Sequence, residues 1–72
     1  MQVLVFKTNL ENPGQILHAG QLLHPIRGIH RWNVDAHDID NVLRIEADAT
    51  LSPRIIETTL QKGGLLCEEL TD

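Results

Sequence analysis

Four histidines, one cysteine and an acidic run near the middle of the chain are the groups with chemistry to offer. Histidines that share a metal from one helix stand three or four residues apart. His18 and His24 are six apart and about 120° apart around a helix. His30 falls at the start of a strand pattern and His37 in a turn, so the four are read as solvated or packing side chains. The densest polar cluster is Asp35-Ala36-His37-Asp38-Ile39-Asp40-Asn41. It has the acidity of a calcium loop, with Glu46 at the twelfth position. Yet Ile39 occupies a ligand position and Asp40 stands where the turn glycine belongs. The cluster is read as a solvated hairpin turn, because Asp and Asn favour turns. Its alternative is an unconventional metal-ion site using His and Asp ligands, with Asp35, His37 and Asp38 as candidates.

Cys67 lies between Leu66 and Glu68, with no nearby base or cation to depress its pKa. It is expected to be a structural, partly buried thiol. Gly63-Gly64 is not a phosphate cradle, since no helix N-terminus follows it. Two aromatic residues, Phe6 and Trp32, do not make a base-stacking platform. No Ser-His-Asp, Cys-His or paired-acid arrangement is legible, so the expected function is not an enzyme's and no catalytic residue or cofactor is assigned.

The balance of charge narrows the partners. Ten acidic against six basic residues give a net charge of −4 with no basic block. Nucleic acid and anionic membrane surfaces both demand a positive stripe, so neither is an expected partner. No apolar run approaches the ~18 residues of a membrane span. The opening Met1-Gln2-Val3-Leu4-Val5-Phe6 lacks a basic lead and a small-residue cleavage site, and reads as a strand. A single cysteine cannot form an internal disulfide, which fits a reducing cytoplasm.

The elements that must hold these groups follow from periodicity. Val3 to Phe6 is a short apolar run suited to a central strand buried on both faces. Asn12, Pro13 and Gln15 together resemble a helix start: a cap, a first-turn proline and a capping-box residue. Ile16, Ala19, Gly20, Leu22, Leu23 and Ile26 then share one helical arc, which Pro25 stops near His24. After Gly28, His30, Trp32 and Val34 alternate with Arg31, Asn33 and Asp35. Leu43, Ile45 and Ala47 alternate with Arg44 and Glu46, completing a hairpin. Ser52-Pro53 repeats the cap-then-proline signal, and Ile55, Ile56, Thr59 and Leu60 form a second stripe that Gly63-Gly64 closes. Leu65, Leu66 and Cys67 begin a last short strand.

The order is βαββαβ, in one domain spanning residues 1–72. The right-handed crossover rule turns it into an α+β, ferredoxin-like sandwich. Its four-stranded antiparallel sheet should run in the order 4-1-3-2 with both helices on one face. Leu4, Phe6, Ile16, Leu23, Trp32, Val34, Leu43, Ile45, Ile55 and Leu60 are the expected core.

The chain resembles the heavy-metal-associated domain family. Gly28-Ile29 followed by Trp32, Val34 and Asp35 is similar to that family's Gly-Val, two residues, then an alternating apolar strand and a polar turn. Leu43-Arg44-Ile45 is similar to its third strand. Ile55-Ile56 through Gly64-Leu65 is similar to its second helix running into a Gly-apolar pair. The resemblance implies metal transfer through a first-loop motif, Gly-Met-x-Cys-x-x-Cys. Here Asn9 falls on the glycine, Leu10 on the methionine, and Asn12 and Gln15 on the two cysteines. Amides are very poor substitutes for thiolates that select copper(I) or zinc. Fold likeness does not carry activity across such a change.

The expected function is therefore a small soluble binding or interaction module with a degenerate metal loop. The sheet face away from the helices is its expected contact surface. Val3 and Val5 sit there within a polar frame of Arg31, Asn33, Arg44 and Glu46. The partner is expected to be an unspecified protein or, weakly, a second copy of the chain.

Overall fold

The structure, a computed structural model, describes residues 1–35 and 37–71; Ala36 in the acidic turn and Asp72 lie outside the described residues. The elements are β1 (Gln2–Thr8), α1 (Pro13–Leu23), β2 (Ile29–Asp35), β3 (Val42–Ala47), α2 (Pro53–Lys62) and β4 (Cys67–Glu69). Both helices begin as the sequence predicts. Asn12 caps α1 and Ser52 caps α2, each with an extended backbone and a following proline. The order is the expected βαββαβ.

Among the described residues the strands form one antiparallel sheet in the order β2-β3-β1-β4, the predicted order read from the other edge. The register pairs Leu4 with Ile45 and Phe6 with Leu43 across β1 and β3, and Trp32 with Ile45 across β2 and β3. Side chains alternate between faces along each strand. Leu4, Phe6, Leu43, Ile45 and Ala47 therefore share one face, where they pack with Ala19 and Leu23 of α1 and Ile56 and Leu60 of α2. Both helices cover that face.

The core departs from expectation at particular places. Ile55 is 48% exposed, and its neighbour Ile56 is fully buried instead. Ile16, Trp32 and Val34 pack against the core but are only partly buried. Leu10, Ala19, Ala47, Leu65 and Cys67 join the core in addition to the predicted set. β4 begins at Cys67 rather than Leu65, because the Leu65 N–H still bonds back to the Leu60 carbonyl at the end of α2. β1 is central, but it is not buried on both faces: Val3 is 58% exposed. The open face leaves that residue to solvent.

Candidate functional site

The loop from β1 into α1 is assembled by side chains bonding to backbone. The buried Thr8 hydroxyl donates to the Asn41 carbonyl at 2.6 Å and accepts the Leu10 N–H at 3.1 Å. Leu10 is driven into the core. The Asn9 side-chain oxygen accepts the Leu66 N–H at 3.0 Å, tying the loop to the segment before β4. The Asn12 side-chain oxygen accepts the Gln15 N–H at 2.9 Å, and the Gln15 side-chain oxygen accepts the Glu11 N–H at 2.8 Å. Helix starts leave several backbone N–H groups unbonded; Asn12 satisfies one of them, and Gln15 reaches back to the residue before the cap. Asn12 and Gln15 thus both act as local backbone acceptors.

The acidic turn is built on the same principle. The Asp35 carboxylate accepts the His37 N–H at 3.1 Å, and the Asp38 carboxylate accepts the Asp40 N–H at 2.9 Å. Asn41 takes a positive φ of 45°, a conformation asparagine tolerates better than most residues. Two of the weak metal candidates, Asp35 and Asp38, therefore hold turn backbone, and His37 is exposed. Among the described residues no group of three His, Cys, Asp or Glu side chains stands where it could hold a metal ion.

The remaining histidines are dispersed. His18 Nε2 lies 2.9 Å from the Gly63 carbonyl, bracing α1 against the end of α2. His30 pairs with Asp48 at 2.7 Å beside the start of β2. His24 caps the end of α1 and is exposed. Cys67 is buried on β4, and burial first, then the nearby Glu57 charge, pushes its thiol up to about 12. A thiol held neutral in this way is a poor nucleophile.

The open sheet face follows from register alone. Val3 lies opposite Glu46 and Val5 opposite Arg44, while Arg31 and Asn33 lie across from the same Glu46 and Arg44. The six predicted face residues therefore form two short rows across three strands. Arg31 and Glu46 form an ion pair, and that hydrogen bond, with the Glu46 charge, holds the guanidinium still more firmly protonated. Exposed pairs of this kind contribute little to stability. The sequence reading missed Leu70, whose N–H donates to the Val5 carbonyl at 2.8 Å and which extends the valine patch toward the β4 side. Continuing the strand-four alternation past Glu69 would have found it.

The fold is that of a βαββαβ ferredoxin-like domain. Solved structures share it over nearly their full length. The yeast copper transporter domain Ccc2a superposes with a TM-score of 0.83 at 14% identity, covering 100% of this chain and 99% of that one. The first domain of the human copper chaperone for SOD1 gives 0.75 at 15% identity, covering 93% and 89%. The CsoZ metallochaperone gives 0.73 at 15% identity, covering 97% of each. At these identities the likeness is one of fold. No family profile matches the chain, and no curated relative does. No helix among the described residues is long and apolar enough to cross a membrane.

Proposed function

We propose that this chain is a non-catalytic, protein-binding module on a heavy-metal-associated-type fold, without thiolate metal transfer through its first loop. The observation that carries this reading is the pair of amides at the head of α1. Asn12 and Gln15 both accept backbone N–H groups. The yeast domain of the same fold is a copper transporter domain described in apo and Cu(I)-loaded states. Copper(I) selects soft sulfur donors. The corresponding loop here offers two amide oxygens and a buried leucine, so its donor set does not fit that ion. The chain's single cysteine is on β4, with its proton held by burial.

A protein partner is favoured because a chain of the same fold is found in a complex of Atx1, Cu(I) and Ccc2a. Here the open face supplies the contact. Val3, Val5 and Leu70 are an apolar patch beside Arg44 and the Arg31–Glu46 pair. An apolar centre with a charged rim is the usual composition of a protein contact. Titration of the reduced protein with copper(I), zinc and nickel, followed by calorimetry, tests the metal part. No heat of stoichiometric binding is expected. Tight copper(I) binding that disappears in Asn12→Ala would overturn it, and tight zinc or nickel binding lost in His37→Ala would favour the His/Asp alternative.

A further inference from the structure

The free edge of β2 has a pattern of charge and hydrogen bonding that reads the same from either molecule of a pair. In a strand the N–H and C=O groups of successive residues point to alternate sides. The Val5 carbonyl accepts from Leu70, so the odd residues of β1 face β4; the Thr8 N–H donates to Asp40, so the even ones face β3. The β1–β3 register then leaves Glu46, Arg44 and Val42 to bond Arg31, Asn33 and Asp35 of β2. The N–H and C=O groups of Trp32 and Val34 consequently point outward, at an edge where no strand pairs with them among the described residues.

A register shift between Ile29 and Arg31 interrupts one end of this edge, and β2 ends at Asp35. The regular free ladder runs from Arg31 to Asp35, with Asn33 at its centre. We propose that this edge recognises a second copy of the chain, β2 pairing antiparallel with β2 about a dyad at Asn33. That register sets Trp32 opposite Val34 of the second copy, so residues whose backbone groups point outward exchange hydrogen bonds on both sides of the dyad. It also sets Arg31 opposite Asp35 of the second copy, twice, on the open face. A dyad at Arg31 or Asp35 would oppose like charges. One at Trp32 would set Arg31 against Asn33, and one at Val34 would set Asp35 against it. Only the Asn33 register sets both charges opposite unlike ones, Arg31 then standing between Glu46 of its own chain and Asp35 of the second copy.

The other face of the same edge is equally unfinished. Beside Trp32, α1 presents Pro13, Ile16 and Leu17 to an open, largely apolar groove of about 750 Å³. Leu17 is 66% exposed. Across the proposed dyad the second copy's α1 lies beside this groove and covers it, so strand pairing and apolar burial act at one contact. Edge strands invite indiscriminate pairing unless they are shortened, bulged or charged. β2 has the bulge and the charges, arranged so that its own complement is admitted.

Sedimentation from about 1 µM to about 1 mM protein, the range of weak association, tests the pairing. A concentration-dependent dimer is expected. Arg31→Asp or Asp35→Arg alone should weaken it by about tenfold or more, and the two together should restore it. Val5→Glu, on β1 and separated from the edge by β3, should leave it unchanged. In the unmodified chain, amide exchange of Trp32 and Val34 should slow as concentration rises, a readout independent of whether any variant folds. The proposal is overturned by a chain that stays monomeric, by Trp32 and Val34 amides indifferent to concentration, by a dimer that survives the single charge reversals, or by one lost in Val5→Glu.

Discussion

Asn12 and Gln15 cap α1 together: the Asn12 side chain takes the Gln15 N–H at 2.9 Å, and the Gln15 side chain takes the Glu11 N–H at 2.8 Å. These are the two positions at which the heavy-metal-associated resemblance places thiolates. The local geometry gives each amide a structural reason to be there. Asn12→Ala is expected to lower stability by about 1 kcal/mol, the usual effect of losing an N-cap. Urea unfolding followed by circular dichroism measures it. Asn12→Cys with Gln15→Cys supplies two thiolates, three residues apart, at a helix start that favours their ionised form. The reduced double variant is expected to bind copper(I) where the parent does not. A double variant that folds but gives no binding heat would show that the loop lacks more than its sulfur.

The second helix supplies a sharper test of the fold. Periodicity placed Ile55 and Ile56 on one stripe, and a stripe about 100° wide can hold two adjacent residues. It cannot say which of them meets the sheet. Ile56 is fully buried and Ile55 is 48% exposed. Ile56→Ala is expected to cost about 2–5 kcal/mol, and Ile55→Ala within about 0.5 kcal/mol. Denaturant midpoints of the two variants separate these outcomes; equal losses would place both side chains inside.

This pair also shows where sequence reading stops. The caps at Asn12 and Ser52, the hairpin, and the order of the strands were legible because local chemistry and period-two alternation carry them. The burial of Leu10 was not, since it depends on Thr8 pulling the loop inward through long-range bonds to Asn41. Strand-one parity was the least secured part of the expectation that Leu4 and Phe6 face the helices, although both are buried there. Val3, Leu4, Val5 and Phe6 are all apolar, and only pairing with β3 and β4 decides which residues face the helices. For the site, the face residues followed from parity, whereas Leu70 required the β4 register. The turn itself was legible from the preference of Asp and Asn for turns, whereas the particular backbone N–H groups that Asp35 and Asp38 accept were not.

Gly63 is constrained by a neighbour rather than by its backbone. Its φ is −81°, which any residue adopts, but a Cβ there would stand 2.3 Å from Leu22 Cδ1. Two more Leu22 carbons lie within 3.3 Å of that point, so rotating one methyl away does not make room. The whole side chain must move, and it packs against the core where α1 meets the end of α2. Gly63→Ala is therefore expected to destabilise by about 1–3 kcal/mol, as overpacking does. The companion change Leu22→Ala should recover part of that loss. A thermal melt of the single and double variants shows whether they couple.

Cys67 carries the pH dependence. Burial and the Glu57 charge raise its thiol from 9.0 to about 12 in the folded chain. The folded state therefore keeps this proton over a range in which the unfolded chain has released it. Stability from this source is fully present below pH 9 and is lost as pH rises toward 12, because the native state then binds more protons than the unfolded one. One proton sets the limit, so its contribution to the slope is no steeper than about 1.4 kcal/mol per pH unit. Cys67→Ala should abolish this contribution, although it lowers stability at neutral pH by leaving a small cavity beside the core. The same shielding predicts that iodoacetamide at pH 8 labels the native chain far more slowly than the urea-unfolded one, since the thiolate is the reactive form. Mass spectrometry of timed samples measures this directly. Rapid native labelling, together with an alkaline stability slope unchanged in Cys67→Ala, would mean that β4 opens readily and that the thiol is not held neutral by the core.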